Sequence, residues 1–165
     1  MRYNKIRKMD ISNGPGVRVS IFFQGCAFHC KNCFNPETWD FKGGNEFTDE
    51  TIEEILTLCE DDSIAGLSML GGEPWHPLNV EGTTKLAKAF KEKFPDKTIW
   101  SWSGFTFEDY LSKQEGIKYV DVIVDGRFVE ELKDPRLKYM GSSNQRAIDV
   151  TKSLKSGKVV LYEEE

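Results

Sequence analysis

From Val17 to Phe23, the residues Val17, Val19, Ile21, Phe22 and Phe23 are mostly β-branched or aromatic and predict a strand. The sixteen residues before it are polar and end in Asn13-Gly14-Pro15-Gly16, a cluster that marks a tight turn. Further on, Ile52, Ile55, Leu56 and Cys59 recur at i, i+3, i+4 and i+7, the spacing of one helix face. Thr48 is the candidate N-cap of that helix, with Asp49 and Glu50 suited to its first turn. A second strand is expected from Ala65 to Leu70, closed by Gly71-Gly72-Glu73-Pro74. A second amphipathic helix follows from about Val80 to Phe94, with Leu86, Phe90 and Phe94 four apart. From Lys97 to Ser103, Trp100 and Trp102 alternate with Ser101 and Ser103 as in a strand. Thr106-x-x-Asp109 has the form of a capping box opening a short helix. Tyr119 to Val124 is apolar apart from Asp121 and predicts a fourth strand, ending at Asp125-Gly126-Arg127. At the C-terminus, Ala147 to Leu154 and Lys158 to Tyr162 flank Lys155-Ser156-Gly157 and predict a terminal hairpin.

Apolar strands separated by helices predict parallel βαβ units covered on both faces. In such sheets and barrels, ligands bind at the C-terminal ends of the strands. Four unusual segments fall on that one edge. They are the cysteine-bearing loop after the first strand, Gly71-Gly72-Glu73-Pro74 after the second, Ser103-Gly104 after the third and Asp125-Gly126-Arg127 after the fourth. No internal repeat, linker or low-complexity stretch breaks the pattern, so one domain over residues 1–165 is expected.

Composition narrows the class. The chain has 165 residues, of which 39% are hydrophobic and 30% charged, enough for a soluble domain with its own core. A formal net charge of −5 gives no support to nucleic-acid binding. No apolar run is long enough to cross a bilayer, and Met1-Arg2-Tyr3-Asn4 does not open a secretory signal. A cytoplasmic, reducing compartment is therefore expected, where four cysteines speak for metal or catalysis more than for disulfides.

Three of those cysteines, Cys26, Cys30 and Cys33, stand at C-x3-C-x2-C. Thiolates this close serve one centre, and three are one short of the four that close a structural zinc site. Cysteine thiolates are also the usual ligands of a four-iron cube, where three would leave one iron open to a substrate or cofactor. Cys59 lies on a helix face and reads as a small core hydrophobe. His29, between two of the cysteines, is the alternative fourth ligand for zinc. His76 reads as a loop residue, and Trp100 and Trp102 as packing.

With these motifs placed, the chain resembles the radical S-adenosylmethionine (SAM) superfamily, through the C-x3-C-x2-C loop and Gly71-Gly72-Glu73-Pro74. More closely it resembles the anaerobic ribonucleoside-triphosphate reductase activating proteins. That likeness rests on Asn13-Gly14-Pro15-Gly16, Cys33-Phe34-Asn35-Pro36-Glu37-Thr38-Trp39, Trp102-Ser103-Gly104-Phe105, Val124-Asp125-Gly126-Arg127-Phe128 and Gly141-Ser142-Ser143-Asn144-Gln145. It covers nearly the whole chain and is weakest over 147–165.

The resemblance implies an α/β fold of the partial (β/α) barrel type. It implies a [4Fe-4S] cluster held by Cys26, Cys30 and Cys33, with SAM chelating the fourth iron. Reductive cleavage of SAM would give a 5′-deoxyadenosyl radical that takes hydrogen from a backbone glycine of the reductase. Gly71 and Gly72 would let the backbone approach the SAM amino group, with Glu73 adding an acceptor. Asn32, Cys33 and Phe34 would border the adenine. Superfamily members often carry an aromatic before the last cysteine, where this chain has Asn32, which leaves part of that contact to Phe34. Ser103, Asp125 and Arg127 complete the implied cofactor-binding set, Asp125 and Arg127 facing ribose or carboxylate. The implied partners are the reductase and an electron donor such as flavodoxin. An activase of a different glycyl-radical enzyme would share these residues and differ only in partner. A rival of another class is a non-catalytic zinc adaptor closed by His29 or Cys59.

Overall fold

The computed structural model describes residues 1–31 and 33–164. Among these the chain forms seven strands and three α-helices. The strands are β1 (Arg2–Asp10), β2 (Val17–Phe23), β3 (Asn45–Glu46), β4 (Ile64–Gly71), β5 (Thr98–Trp102), β6 (Val122–Asp125) and β7 (Arg146–Asp149). The helices are α1 (Asp49–Leu58), α2 (Val80–Lys93) and α3 (Val150–Ser156). One mixed sheet runs in the order β3-β1-β2-β4-β5-β6-β7. Its centre, β2-β4-β5-β6, is parallel. The flanking strands β1, β3 and β7 join antiparallel.

Alternation along each strand sorts the two faces of the sheet. Val19, Ile21 and Phe23 of β2, Leu67 and Met69 of β4, Ile99 of β5 and Ile123 of β6 enter the main core. There they join Ile52, Ile55 and Leu56 of α1 and Leu86, Ala87 and Phe90 of α2. Thr48 caps α1 as expected, its hydroxyl accepting from Thr51 N. Cys59, at the C-cap of α1, is fully buried in this core, and burial pushes its thiol up to about 12. It is the small core group its spacing suggests.

The opposite face carries Arg18, Ser20, Phe22, Ser68, Leu70, Trp100 and Trp102. Arg18 is fully buried. Its guanidinium donates to Ser68 Oγ (2.9 Å), Thr98 Oγ1 (3.1 Å) and the carbonyls of Leu67 (3.0 Å), Thr98 (2.8 Å) and Pro15 (3.2 Å). Burial lowers its pKa to about 10, so it stays charged at neutral pH, held by neutral acceptors. It plugs the N-terminal end of this face and leaves the C-terminal end for ligands.

Four expectations need correction. The polar N-terminus contains β1, covered on its outer side only by the two residues of β3, and its Lys and Arg residues hide any apolar alternation. The segment around Thr106 is a turn, closed by a Thr106 Oγ1 bond to Asp109 Oδ2 at 3.2 Å, and only Leu111–Lys113 coils, as a 3-10 turn. The terminal hairpin is interrupted by α3. Asp149 caps that helix by accepting from Lys152 N (3.0 Å), and Gly157 ends it at φ +74°. The return leg is reduced to a bridge between Ile148 and Leu161 and bonds from Asp149 N to Val160 O and from Tyr162 N to Ala147 O, both at 2.9 Å. The fourth strand also begins later than expected, at Val122, because Glu115–Tyr119 is a 3-10 turn.

Candidate cluster and cofactor site

All four unusual segments meet at the C-terminal ends of the parallel strands. They line one cavity of about 550 Å³ that includes Cys26, Cys30 and Cys33 together with Phe34, Gly71, Gly72, Glu73, Ser103, Gly104 and Arg127. Its far wall is the segment from Lys133 to Gly141, and its near wall is Arg7, Ser12 and Asn13.

The root of the cysteine loop is fixed by backbone bonds. Gly25 N donates to Thr38 O (2.6 Å) and Cys26 N to Trp39 O (3.2 Å), which folds the loop back on residues 38 and 39. The glycine turn after β4 is stitched to the same root, Gly72 N donating to Phe23 O (3.0 Å) and Glu73 N to Gly25 O (2.7 Å). Gly71 has φ +119°, and a Cβ there would lie 2.5 Å from Phe23 N. A Cβ on Gly72 would lie 2.6 Å from Gly25 O and 2.9 Å from Thr38 O. Gly71 is thus required by backbone approach to the end of β2, and Gly72 by approach to the root of the cysteine loop. Gly72→Val should accordingly lower iron content per chain, by forcing Gly25 and Thr38 apart. Iron and sulfide analysis of the reconstituted variant checks this; full iron loading would refute it.

Glu73 is 1% exposed. Its Oε1 accepts from Gly104 N (2.6 Å), and its Oε2 from Ser103 Oγ (2.8 Å) and Trp75 N (3.0 Å). Burial pushes this carboxyl up, to about 7, while the three donors pull it down. The side chain therefore ties the β4 turn to the β5 turn, and the Ser103 hydroxyl, which also accepts from Phe105 N (3.1 Å), is spent in that tie.

Arg127 lines the cavity and reaches across to the cysteine loop. It donates to Phe28 O at 3.1 Å and its guanidinium lies 5.1 Å from the Phe28 ring centre. Phe28 in turn packs on Phe105 at 4.9 Å and fills the space a Cβ on Gly104 would occupy. Phe34 is exposed on one side and leans on Phe128 at 5.0 Å. Asp125 is buried, and its carboxylate does not line the cavity. It accepts from Phe107 N (2.9 Å) and forms a two-point pair with Arg146 at 3.0 and 2.6 Å. Arg146 also grips Glu108, at 3.1 and 2.6 Å. Asn32 lies outside the described residues. Gly141-Ser142-Ser143-Asn144-Gln145 acts as a staple: Gln145 accepts from Gly141 N (2.9 Å) and donates to Gly126 O (3.0 Å), and Asn144 donates to Arg127 O (2.8 Å).

The donor set fits an iron–sulfur cube better than a closed zinc site. Three cysteine thiolates on one cavity can each take a separate iron of a cube, and cysteines are its usual ligands. His29 is turned away from the cavity lining and stacks on Trp39 at 4.5 Å, and Cys59 is in the core. Phe28, Arg146 and the wall from Arg7 to Asn13 were not legible as site residues beforehand. Phe28 could have been suspected from the glycine that faces it; nothing local marks the others.

Known proteins give the same picture. Residues 12–148 match the family model of a 4Fe-4S single cluster domain. An anaerobic ribonucleoside-triphosphate reductase-activating protein of Vibrio cholerae is 39% identical over 148 residues, covering 88% of this chain and 96% of the relative. That of enterobacteria phage T4 is 41% identical over 146 residues, covering 88% and 92%, and that of Escherichia coli K12 is 38% identical over 148 residues, covering 88% and 96%. With three cysteines, a glycine turn and a buried glutamate meeting in one cavity, and relatives that match along most of their length, the chain belongs to the family of anaerobic ribonucleoside-triphosphate reductase-activating proteins.

Proposed function

We propose that this chain activates an anaerobic ribonucleoside-triphosphate reductase by forming a glycyl radical on it. The observation that carries the reading is the meeting of Cys26, Cys30 and Cys33 with Gly71, Gly72 and Glu73 in one cavity. A [4Fe-4S] cluster and SAM bound there would supply one-electron chemistry that no side chain offers. The chain's own part is to bind, orient and exclude water. Cys26, Cys30 and Cys33 hold the cluster. Gly71 and Gly72 bring backbone against the SAM amino group. Phe34, with Asn32 and Cys33, borders the adenine. Arg127 clamps the cysteine loop and faces the carboxylate or ribose, while Glu73 with Ser103, and Asp125 through Arg146, keep the strand-end turns in place. The sheet then serves as a partial barrel, a single domain open on the side where the protein substrate arrives. We read the chain as a cytoplasmic protein supplied by a low-potential donor such as flavodoxin, acting on neither nucleic acid nor membrane. No helix among the described residues is long and apolar enough to cross a membrane.

Hydrogen transfer demands that the target carbon be held beside the attacking one, so positioning outweighs acid–base groups here. The test combines the reconstituted protein, SAM, a low-potential reductant and the reductase under nitrogen. A glycyl radical signal on the reductase is expected in electron paramagnetic resonance, and deuterium on the reductase glycine should appear in 5′-deoxyadenosine. SAM cleavage without either result would refute the reading. A signal on a different glycyl-radical enzyme alone would replace the partner.

A further inference from the structure

The turn between β1 and β2 presents Met9 and Ile11 to solvent, 72% and 77% exposed. It is a firm platform. The buried Asp10 between them accepts from Ser12 N (2.8 Å), Asn13 Nδ2 (2.7 Å) and Ser20 Oγ (2.6 Å). The same turn supplies Ser12 and Asn13 to the cavity wall, beside Arg7. Its charge departs from that of the whole chain: residues 1–9 hold Arg2, Lys5, Arg7 and Lys8 and no acid, in a protein of net charge −5.

We propose that Met9, Ile11 and Lys8 form a docking knob for the reductase, seated in an apolar depression bordered by carboxylates next to the segment that enters the cavity. This rests on the function proposed above. The knob and one wall of the cavity are the same turn, so a partner that delivers a backbone glycine over this rim meets the knob as it does so. The rigid apolar pair supplies the anchor and the cations supply steering toward an acidic border. Strand addition is the weaker mode. Register shifts on either side of Lys5–Arg7 and the basic side chains of β1 blunt its outer edge.

The test uses the reconstituted full chain with Met9→Asp/Ile11→Asp and, separately, Lys8→Glu. Iron content and reductase-independent SAM cleavage should stay at wild-type levels, since none of the three residues lines the cavity. The Kd for the reductase should rise by about tenfold or more in the double variant, with radical yield recovering as reductase concentration is raised. Added salt should weaken the wild type more than Lys8→Glu. Unchanged affinity in the double variant, with wild-type radical yield, overturns the docking site and leaves the proposed function standing. If the wild type binds the reductase but forms no radical on it, the function fails, and the docking site is then decided by the variants' Kd alone.

Discussion

Alanine at Cys26, Cys30 or Cys33 should abolish the intact cluster and reductive SAM cleavage, whereas Cys59→Ala should leave both. The three loop cysteines share one cavity, and each would bind a different iron, so none can substitute for another. Burial pushes the Cys26 thiol up, so the free thiolate is disfavoured there and iron ligation must offset that cost. Cys59 lies in the core and outside the cavity that the three loop cysteines line, so it has no access to their cluster. Its loss should cost about 1–2 kcal/mol of core packing and no iron. Iron and sulfide analysis with the absorption spectrum of each anaerobic variant decides the matter. A folded Cys59→Ala protein without its cluster, or a Cys30→Ala protein that keeps an intact one, would contradict the assignment.

Glu73→Gln should be nearly as damaging as Glu73→Ala, although it keeps the shape. The carboxylate accepts three donors, and two of them, Gly104 N and Trp75 N, are backbone groups that cannot turn round. A glutamine presents one oxygen and one NH2, so one of these amides must face another donor in a buried site. Two bonds to a charged acceptor are lost or weakened, at a cost of about 2–4 kcal/mol. The tie between the β4 and β5 turns loosens with them, so SAM cleavage should fall by more than tenfold while iron, held by the cysteines, is kept. The pH dependence has a definite sign. The folded pKa, about 7, lies above the ordinary 4.5, so the folded chain holds a proton that the unfolded chain releases. That contribution is complete below pH about 4.5 and is lost as pH rises through 7. Unfolding free energy measured across this window should decline more steeply in wild type than in Glu73→Gln at equal cluster loading. Parallel profiles would sink the assignment of a buried, proton-binding Glu73.

Elements governed by local rules were readable in the sequence. β2 spans Val17–Phe23 as expected, because Val17, Val19, Ile21, Phe22 and Phe23 carry the β-branched and aromatic signal even with Arg18 and Ser20 between them. α1 starts where Thr48 can cap it. The cysteines and the glycine pair were readable because their spacing is short and their chemistry narrow. What depended on distant partners was not. Nothing near Asp125 announces that Arg146, in the antiparallel strand beside it, will occupy its carboxylate. Nothing near Lys5 announces a strand, since its neighbours across the ladder lie beyond the turn. The C-terminal hairpin was half legible: its two legs do pair at Ile148 and Leu161, but Asp149 captures the intervening residues into a helix.

The stitching of the glycine turn also sets what it can recognise. Glycine-rich loops that hold phosphate point their amide hydrogens at the ligand and form an anion nest. Here the amides of Gly72 and Glu73 are already committed to Phe23 O and Gly25 O. With those two amides spent, the turn offers a ligand no Gly72 or Glu73 hydrogen, which disfavours a phosphate or carboxylate at that spot relative to an ammonium. A nucleotide bearing its charge as phosphate would find no partner here, whereas an adenosyl ligand ending in an amino group would. The same glycines that in another loop would hold a phosphate here spend their hydrogens inward, on the strand and loop that carry the cysteines.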